Sequence, residues 1–178
     1  MPGATTQLPG SQLAEQIDAT VSGAVEETAE GWLQIRPDAL LDVARFLHDE
    51  REIDARYLVA LTGIDRYDHF EVVYHLASLS HNHEFVLKVR ADHDEPEVPS
   101  VVSIWRGAHL QEREAYDLLG IRFSNHPNLK RIFLWDGFPG HPLRKDFMSL
   151  PGGFRPGLQR FPKEDPSKWG GEFRGDKD

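Results

Sequence analysis

The sequence predicts an α+β fold in which helices pack on a mixed or antiparallel sheet, followed by an extended, irregular C-terminal arm. Three observations carry this prediction: apolar residues at helical spacing near the N-terminus, three consecutive β-rich runs, and a glycine- and proline-rich C-terminal stretch. A chain of 178 residues with 39% hydrophobic content suits one domain with tails. We therefore predict a flexible lead-in at residues 1–10, an α+β domain at residues 11–137 and an arm at residues 138–178.

Two helices and a short strand are predicted before residue 50. Leu13, Ile17 and Val21 recur at i, i+4 and i+8, as they would on one face of a helix. The apolar residues within 32–35 indicate a short strand, and Pro37 suits the first turn of a following helix. The apolar stripe of that second helix consists of Leu40, Val43, Ala44 and Leu47.

Three β-rich runs follow, at residues 57–64, 70–77 and 84–90, and short polar connections separate them. This spacing is typical of an antiparallel meander. Apolar residues alternate with charged ones in the third run, so we expect one face of the sheet to be solvated. The apolar set of that run is Phe85, Leu87 and Val89, and the charged set is Glu84, Lys88 and Arg90.

The C-terminal third begins with a helical pattern and then loses regular structure. Residues 100–119 are helical in pattern, and Gly120 suits a left-handed helix end. Beyond Phe138, glycine or proline recurs every three or four residues. Because this stretch keeps single aromatic residues that a purely polar disordered tail lacks, we expect it to lie over a partner; a flexible linker is the alternative. These aromatic residues are Phe147, Phe154, Phe161, Trp169 and Phe173.

Composition excludes several classes of function. The formal net charge is -9 and no lysine- or arginine-rich run occurs, so nucleic acid is not an expected partner. Without cysteine, the chain has neither disulfides nor the usual ligands of iron–sulfur clusters. No apolar run approaches the ~20 residues that cross a bilayer, and the first residues lack the features of a secretion signal. We expect a chain that is neither inserted into a membrane nor exported.

The predicted third helix carries a dense charged motif. Glu112, Arg113, Glu114, Tyr116 and Asp117 are related by i, i+3 and i, i+4 spacings. After the helix, a turn containing an Asn-His-Pro-Asn run precedes a Lys-Arg pair. This order of acid, turn and base suits pairing of guanidinium groups with carboxylates better than it suits catalysis. The alternative is a solvated helix face that contributes little stability.

Residues 112–133, continued by residues 136–147, resemble the C-terminal blocks of the C subunit (30-kDa type) of NADH-quinone oxidoreductase, respiratory complex I. The first block contains Glu-Arg-Glu-Ala-Tyr-Asp-Leu-Leu-Gly, and the second contains Gly-His-Pro-Leu-Arg-Lys-Asp-Phe. The resemblance extends more loosely back to about Leu13, and it ends near Pro162. Phe133 departs from the family, in which an aliphatic residue is more usual.

The resemblance implies a non-catalytic peripheral-arm subunit of a proton-translocating NADH:quinone oxidoreductase, an enzyme complex of the translocase class. Such a subunit docks on the large 49-kDa-type (D) subunit near the quinone cavity, with the cluster-bearing B and I subunits as further partners. FMN and iron–sulfur clusters are then bound by partner subunits and not by this chain, which would lie peripherally on the cytoplasmic side of the cell membrane. The expected docking residues are Glu112, Arg113, Glu114, Tyr116, Asp117, Gly120, His126, Pro127, Arg131, Gly140, His141, Pro142, Arg144, Lys145 and Asp146.

Two hypotheses about mechanism follow from the motif together with the resemblance. Glu112, Arg113, Glu114 and Asp117 would form one hydrogen-bonded charge network that positions the turn at His126. Residues 144–161 would wrap the large subunit.

Other functions remain as alternatives. The equivalent subunit of a membrane-bound hydrogenase or a ferredoxin-linked complex has a similar sequence, and a docking module without a redox role is also possible. A metal hydrolase is disfavoured because no His-Glu-x-x-His motif occurs and His81 and His83 lack a third ligand nearby. His126 could donate a proton near a quinone, but a bond to a backbone carbonyl is the more usual role. No glycine-rich nucleotide-binding motif is present.

Overall fold

The structure, a computed structural model, describes residues 4–147. Three helices lie against one face of a six-stranded mixed sheet, which confirms the predicted α+β class. A second sheet has two strands. The helices are α1 (Gly10–Thr20), α2 (Leu40–Asp49) and α3 (Ala108–Leu119). The strands are β1 (Thr6–Gln7), β2 (Val25–Thr28), β3 (Trp32–Ile35), β4 (Tyr57–Asp65), β5 (His69–Ser78), β6 (His83–Asp92), β7 (Glu97–Pro99) and β8 (Arg122–Ser124).

Strands β4, β5 and β6 form the predicted antiparallel meander. On its other side β6 pairs in parallel with β3 along part of its length and with β1 at its start, and these two pairings make the sheet mixed. Strand β2 completes the path β2-β3-β6-β5-β4. Because β1 lies within the predicted flexible lead-in, part of residues 4–10 has a regular backbone conformation that the sequence did not indicate.

The core lies between the helices and the inner face of the sheet. The predicted stripes of α1 and α2 are buried there, together with alternate residues of β5 and β6 such as Phe70, Tyr74 and Leu87. The opposite face is solvated as predicted, with Glu84 and Arg90 exposed. On that face the Lys88 ammonium lies 3.7 Å from the ring centre of Trp32, where the aromatic face attracts a cation.

Two elements differ from the prediction. The third helix begins at Ala108 and not near residue 100, because Ser100 and the backbone N–H of Val101 are bound to the side chain of Glu112 and the chain forms turns before the helix. Strand β2 was missed because it is a polar edge strand that buries little apolar surface. Pro37 begins a 3-10 turn that leads directly into α2, as its fixed φ favours.

Candidate functional site

Helix α3 carries two acidic side chains that are completely buried, Glu112 and Asp117. Its apolar residues Ala108, Ala115 and Leu119 face the core. Five residues along a helix correspond to a rotation of about 140°, so the two acids point to different sides. Glu112 faces the turns that precede the helix, whereas Asp117 lies on the side away from the core and is covered by residues 130–147, the segment called here the C-terminal segment.

Asp117 organises the first loop of the C-terminal segment. Its Oδ2 accepts hydrogen bonds from the backbone N–H groups of Ile132, Phe133 and Leu134 at 3.0, 2.8 and 3.0 Å, and its Oδ1 accepts one from Arg131 Nη1 at 3.0 Å. Burial alone would raise the pKa of Asp117, but these donors hold that pKa below its ordinary value. The carboxylate is therefore ionised at neutral pH and fixes the shape of the loop.

Basic side chains of the C-terminal segment bind the backbone at the C-terminal end of α3. Arg144 Nε donates to Leu119 O at 2.7 Å, and His141 Nδ1 donates to Asp117 O at 2.9 Å. Arg131 also reaches back to its own segment, donating to Phe138 O and Gly140 O. Carbonyls at a helix C-terminus carry partial negative charge, so these cationic and N–H donors are favourably placed.

Gly120 ends α3 in the left-handed conformation that the sequence predicted, with φ 79°. A Cβ at this position would lie 2.6 Å from His141 Cδ2 and 2.9 Å from an Arg144 Nη atom. Glycine is thus required both by the backbone conformation and by the close approach of the C-terminal segment.

The far end of the C-terminal segment is tied to the β4–β5 turn. Asp65 Oδ2 accepts a hydrogen bond from Lys145 N at 2.9 Å, and Oδ1 of the same carboxylate accepts one from Tyr67 N at 2.8 Å. The Arg144 guanidinium lies 4.9 Å from the ring centre of Phe70. Phe147 is buried, and its ring stacks on that of Phe138 with the ring centroids 6.1 Å apart. The first ten residues of the predicted arm therefore lie against the folded core, and the rest of it, residues 148–178, lies outside the described residues.

Glu112 holds the turns before α3. Its Oε2 accepts a hydrogen bond from Ser100 Oγ at 2.6 Å, and its Oε1 accepts one from Val101 N at 2.8 Å. Burial raises the pKa of Glu112 to about 7, against the opposing effect of these two donors. Near neutral pH this carboxyl group is therefore partly protonated, in contrast to Asp117.

His126 is bound to backbone atoms, as predicted for a histidine in such a turn. Its Nε2 donates to His109 O at 3.0 Å, and its Nδ1 accepts from Asn128 N at 3.0 Å, so the neutral ring carries its proton on Nε2. Glu112 Oε2 is 3.9 Å from the same Nε2. Burial lowers the pKa of His126, and the charges of the nearby His109 and Arg113 lower it further. The hydrogen bond to the His109 carbonyl raises this pKa and only partly offsets these effects.

The hypothesis of a single charge network is wrong. Arg113 donates to the backbone carbonyls of Lys130 and Arg131 at 2.9 and 3.1 Å, and Glu114 is exposed. Glu112 and Asp117 instead hold two separate segments. The i, i+3 and i, i+4 spacings suggested that these four side chains would contact one another. In the folded chain, Glu112 and Asp117 instead bind backbone N–H groups of two different segments.

The remaining predicted site residues are divided between the C-terminal segment and the surface. The Tyr116 ring packs edge-on against His141 with centroids 6.2 Å apart. Pro142 is half-buried. Pro127, Lys145 and Asp146 are exposed, and so is the Gly140 backbone. Sequence reasoning missed Ser100 and Asp65, and the position of Asp65 at a hairpin turn gave no signal that it binds the chain 80 residues later.

The histidines that could have suggested a metal site are engaged elsewhere. His81 Nε2 lies 2.8 Å from Arg51 O, and His83 Nε2 lies 2.7 Å from Ile53 O. Within the described part of the chain, no group of three or more His, Cys, Asp or Glu side chains is placed to hold a metal ion. Among residues 4–147, no helix is both long and apolar enough to cross a bilayer.

The fold and site together define an α+β protein whose acidic motif anchors its own C-terminal segment around a helix. Two large apolar side chains of that segment, Phe133 and Leu143, are left 63% and 59% exposed. Residues 33–151 match the family described as "Respiratory-chain NADH dehydrogenase, 30 Kd subunit". The chain belongs to this 30-kDa subunit family, which confirms the resemblance seen in the sequence.

Curated relatives agree with the family. The chain is 41% identical to the C subunit of the NADH-quinone oxidoreductase of Roseiflexus sp. (strain RS-1) over 138 residues, which are 76% of this chain and 79% of the relative. It is 45% identical to the corresponding C subunit of Xanthobacter autotrophicus (strain ATCC BAA-1158 / Py2) over 144 residues, 77% of this chain and 68% of the relative.

Two solved structures have a similar fold. A trypsin-resistant fragment of Nqo5 superposes with a TM-score of 0.54 at 27% identity, covering 67% of this chain and 98% of the fragment. A chain of a membrane-bound sulfane sulfur reductase, an archaeal respiratory membrane complex, superposes with a TM-score of 0.63 at 23% identity. That second likeness covers 94% of this chain and 95% of the other, and it shows the shared fold alone.

Proposed function

We propose that this chain is a non-catalytic peripheral-arm subunit of a proton-translocating NADH:quinone oxidoreductase. It docks on the large 49-kDa-type subunit near the quinone cavity and supports electron transfer from NADH to quinone through partner subunits. The observation that carries the proposal is the use of the motif residues: Glu112, Asp117 and Arg131 bind other parts of the same chain. In a member of this family, such a site suits a rigid docking surface better than a reacting centre.

Partners and cofactors follow from the same proposal. The iron–sulfur clusters belong to partner subunits, because a chain without cysteine lacks the usual cluster ligands. FMN is assigned to a partner subunit because the family resemblance implies it. The large D-type subunit is the principal partner, and the cluster-bearing B and I subunits are further ones. In that assembly the chain lies peripherally on the cytoplasmic side of the membrane.

The arm beyond Phe147 wraps a partner in this proposal. Because Phe147 is buried against Phe138, truncation should follow Phe147 so that the contacts of the C-terminal segment remain. A chain ending at Phe147 is expected to keep a cooperative thermal unfolding transition and to be lost from the assembled complex. Normal incorporation of the truncated chain would show that the arm does not wrap a partner.

The decisive experiment is affinity capture of the tagged full-length chain from its native membrane in mild detergent. Flavin, iron–sulfur signals and NADH:quinone activity in the captured material support the proposal. Clusters without NADH oxidation indicate the hydrogenase-type or ferredoxin-linked alternative. Neither flavin nor clusters would leave a docking module without a redox role.

A further inference from the structure

Four consecutive apolar residues, Ile132, Phe133, Leu134 and Trp135, occupy the first loop of the C-terminal segment. Phe133 is 63% exposed, whereas Ile132 and Leu134 beside it are half-buried. A large aromatic side chain that projects from a partly apolar loop is the type of residue that dominates the binding free energy of protein interfaces.

The loop holds Phe133 in place before any partner binds. Its own backbone N–H and those of both neighbours donate to one oxygen of the buried Asp117 carboxylate. Arg131, next to the loop, bonds to the other oxygen of Asp117 and to the carbonyls of Phe138 and Gly140. Because the backbone of this loop is already fixed, little backbone entropy is lost when a partner binds, which favours the use of Phe133 as an anchor.

The charge around this loop differs from that of the whole chain. The C-terminal segment contains four lysines and arginines against two aspartates, a formal charge of +2 that the Asp117 carboxylate paired with Arg131 reduces to +1, whereas the chain carries -9 in total. Lys130, immediately before the loop, is exposed. Carboxylates at the border of a partner's pocket would therefore meet complementary charge at Lys130, on a chain whose net charge is negative.

We propose that Phe133 is the central anchor of the docking surface and inserts into an apolar pocket, bordered by carboxylates, on a partner subunit of the same complex. Asp117 is the positioning residue for this anchor, and Lys130 pairs with the border of the pocket. The proposal deepens the proposed function and rests on it. It is also consistent with the path of the chain, since the C-terminal segment continues directly into the 31 residues assigned to the wrapping arm.

The test uses full-length tagged chains added to detergent-solubilised membranes whose own copy of this subunit has been deleted. Flavin and cluster capture are titrated against chain concentration for the wild type, Phe133→Ala, Phe133→Leu and the control Leu79→Ala. Leu79 is 79% exposed in the β5–β6 turn, so its substitution removes a comparable exposed apolar side chain far from the motif in sequence. Circular dichroism and thermal unfolding establish that every variant is folded.

For Phe133→Ala we expect half-maximal capture to need about thirtyfold more chain, the effect typical of an interface hot spot. Phe133→Leu should retain most of the affinity, and Leu79→Ala all of it. Lys130→Glu should weaken capture most at low salt, where the charge interaction is least screened. Equal capture by Phe133→Ala and the wild type would overturn the anchor while leaving the proposed function intact, whereas failure of the wild type to capture flavin or clusters would overturn both.

Discussion

Replacement of Asp117 by alanine is expected to be among the most destabilising single changes in the motif. The substitution removes one buried carboxylate, which leaves three backbone N–H groups without their acceptor and the Arg131 guanidinium without its anionic partner. Removing one member of a buried, hydrogen-bonded charge pair costs about 3–5 kcal/mol, because the remaining partners lose their compensation. Ile132 and Leu134 are only half-buried, so water can reach part of the opened loop and we expect a value near the lower end, about 3 kcal/mol.

The measurement is urea unfolding of the purified full-length chain, followed by circular dichroism. A lower midpoint with an unchanged denaturant dependence would report lost stability of a still compact native state. Asp42→Ala is the matched control, since Asp42 forms an ion pair with Arg45 in which both side chains are more than half exposed. That control should cost less than ~1 kcal/mol.

The effect of Asp117→Ala should also depend on pH. Because the folded-state pKa of Asp117 is lower than its ordinary value of 3.8, its contribution is present above that value and is lost as pH falls through the folded-state pKa. The difference between wild type and variant should therefore be constant near neutrality and shrink below about pH 4. A loss of less than ~1 kcal/mol at neutral pH, or a difference that grows in acid, would refute the role assigned to this carboxylate.

Two further substitutions test the site. Glu112→Gln should flatten the pH dependence of stability. The pKa of Glu112 is raised from 4.5 to about 7 in the folded chain, so the unfolded chain loses this proton at lower pH than the folded chain does. The free energy of unfolding of the wild type should therefore fall by up to roughly 3 kcal/mol as the pH rises from 4.5 to about 7. If urea unfolding gives the same pH dependence of stability for the wild type and Glu112→Gln from about pH 5 to about pH 8, the assigned pKa shift is contradicted. Glu114→Gln is the control, because Glu114 is exposed. Gly120→Ala should lower the free energy of unfolding by about 2–4 kcal/mol, since a left-handed φ and a clash combine there. Gly23→Ala shares the positive φ but meets nothing within 4 Å, so thermal unfolding should show a clearly smaller loss, and equal losses would exclude the clash.

Periodicity predicted the elements whose burial follows a simple repeat. The apolar stripe of α2 and the alternation along β6 each reflect one face turned to a common core, so the residues themselves show which face is buried. Strand β2 carries no such repeat, since three of its four residues are exposed, and its pairing with β3 is a tertiary event.

The sequence predicted which residues form the site better than it predicted which groups those residues contact. The motif, the turn at His126 and the helix end at Gly120 were all indicated by the sequence, and so was the carbonyl bond of His126. The partners of Asp117 were not, because helical spacing pairs a residue only with its near neighbours along the same helix. The bond between Asp65 and residue 145 connects segments 80 residues apart, and a single sequence holds no local pattern for it.

The position of α3 between the core and the C-terminal segment affects how genetic results for this protein should be understood. A helix charged on most sides suggests a surface that a partner touches, yet here the carboxylate of Asp117 is shielded by the protein's own chain. A partner approaching from that side meets Phe133 and its neighbours first. Loss of assembly after substitution of Asp117 would therefore report a misshapen loop and not a lost intermolecular contact, and only variants of the loop's outward side chains would map the interface directly.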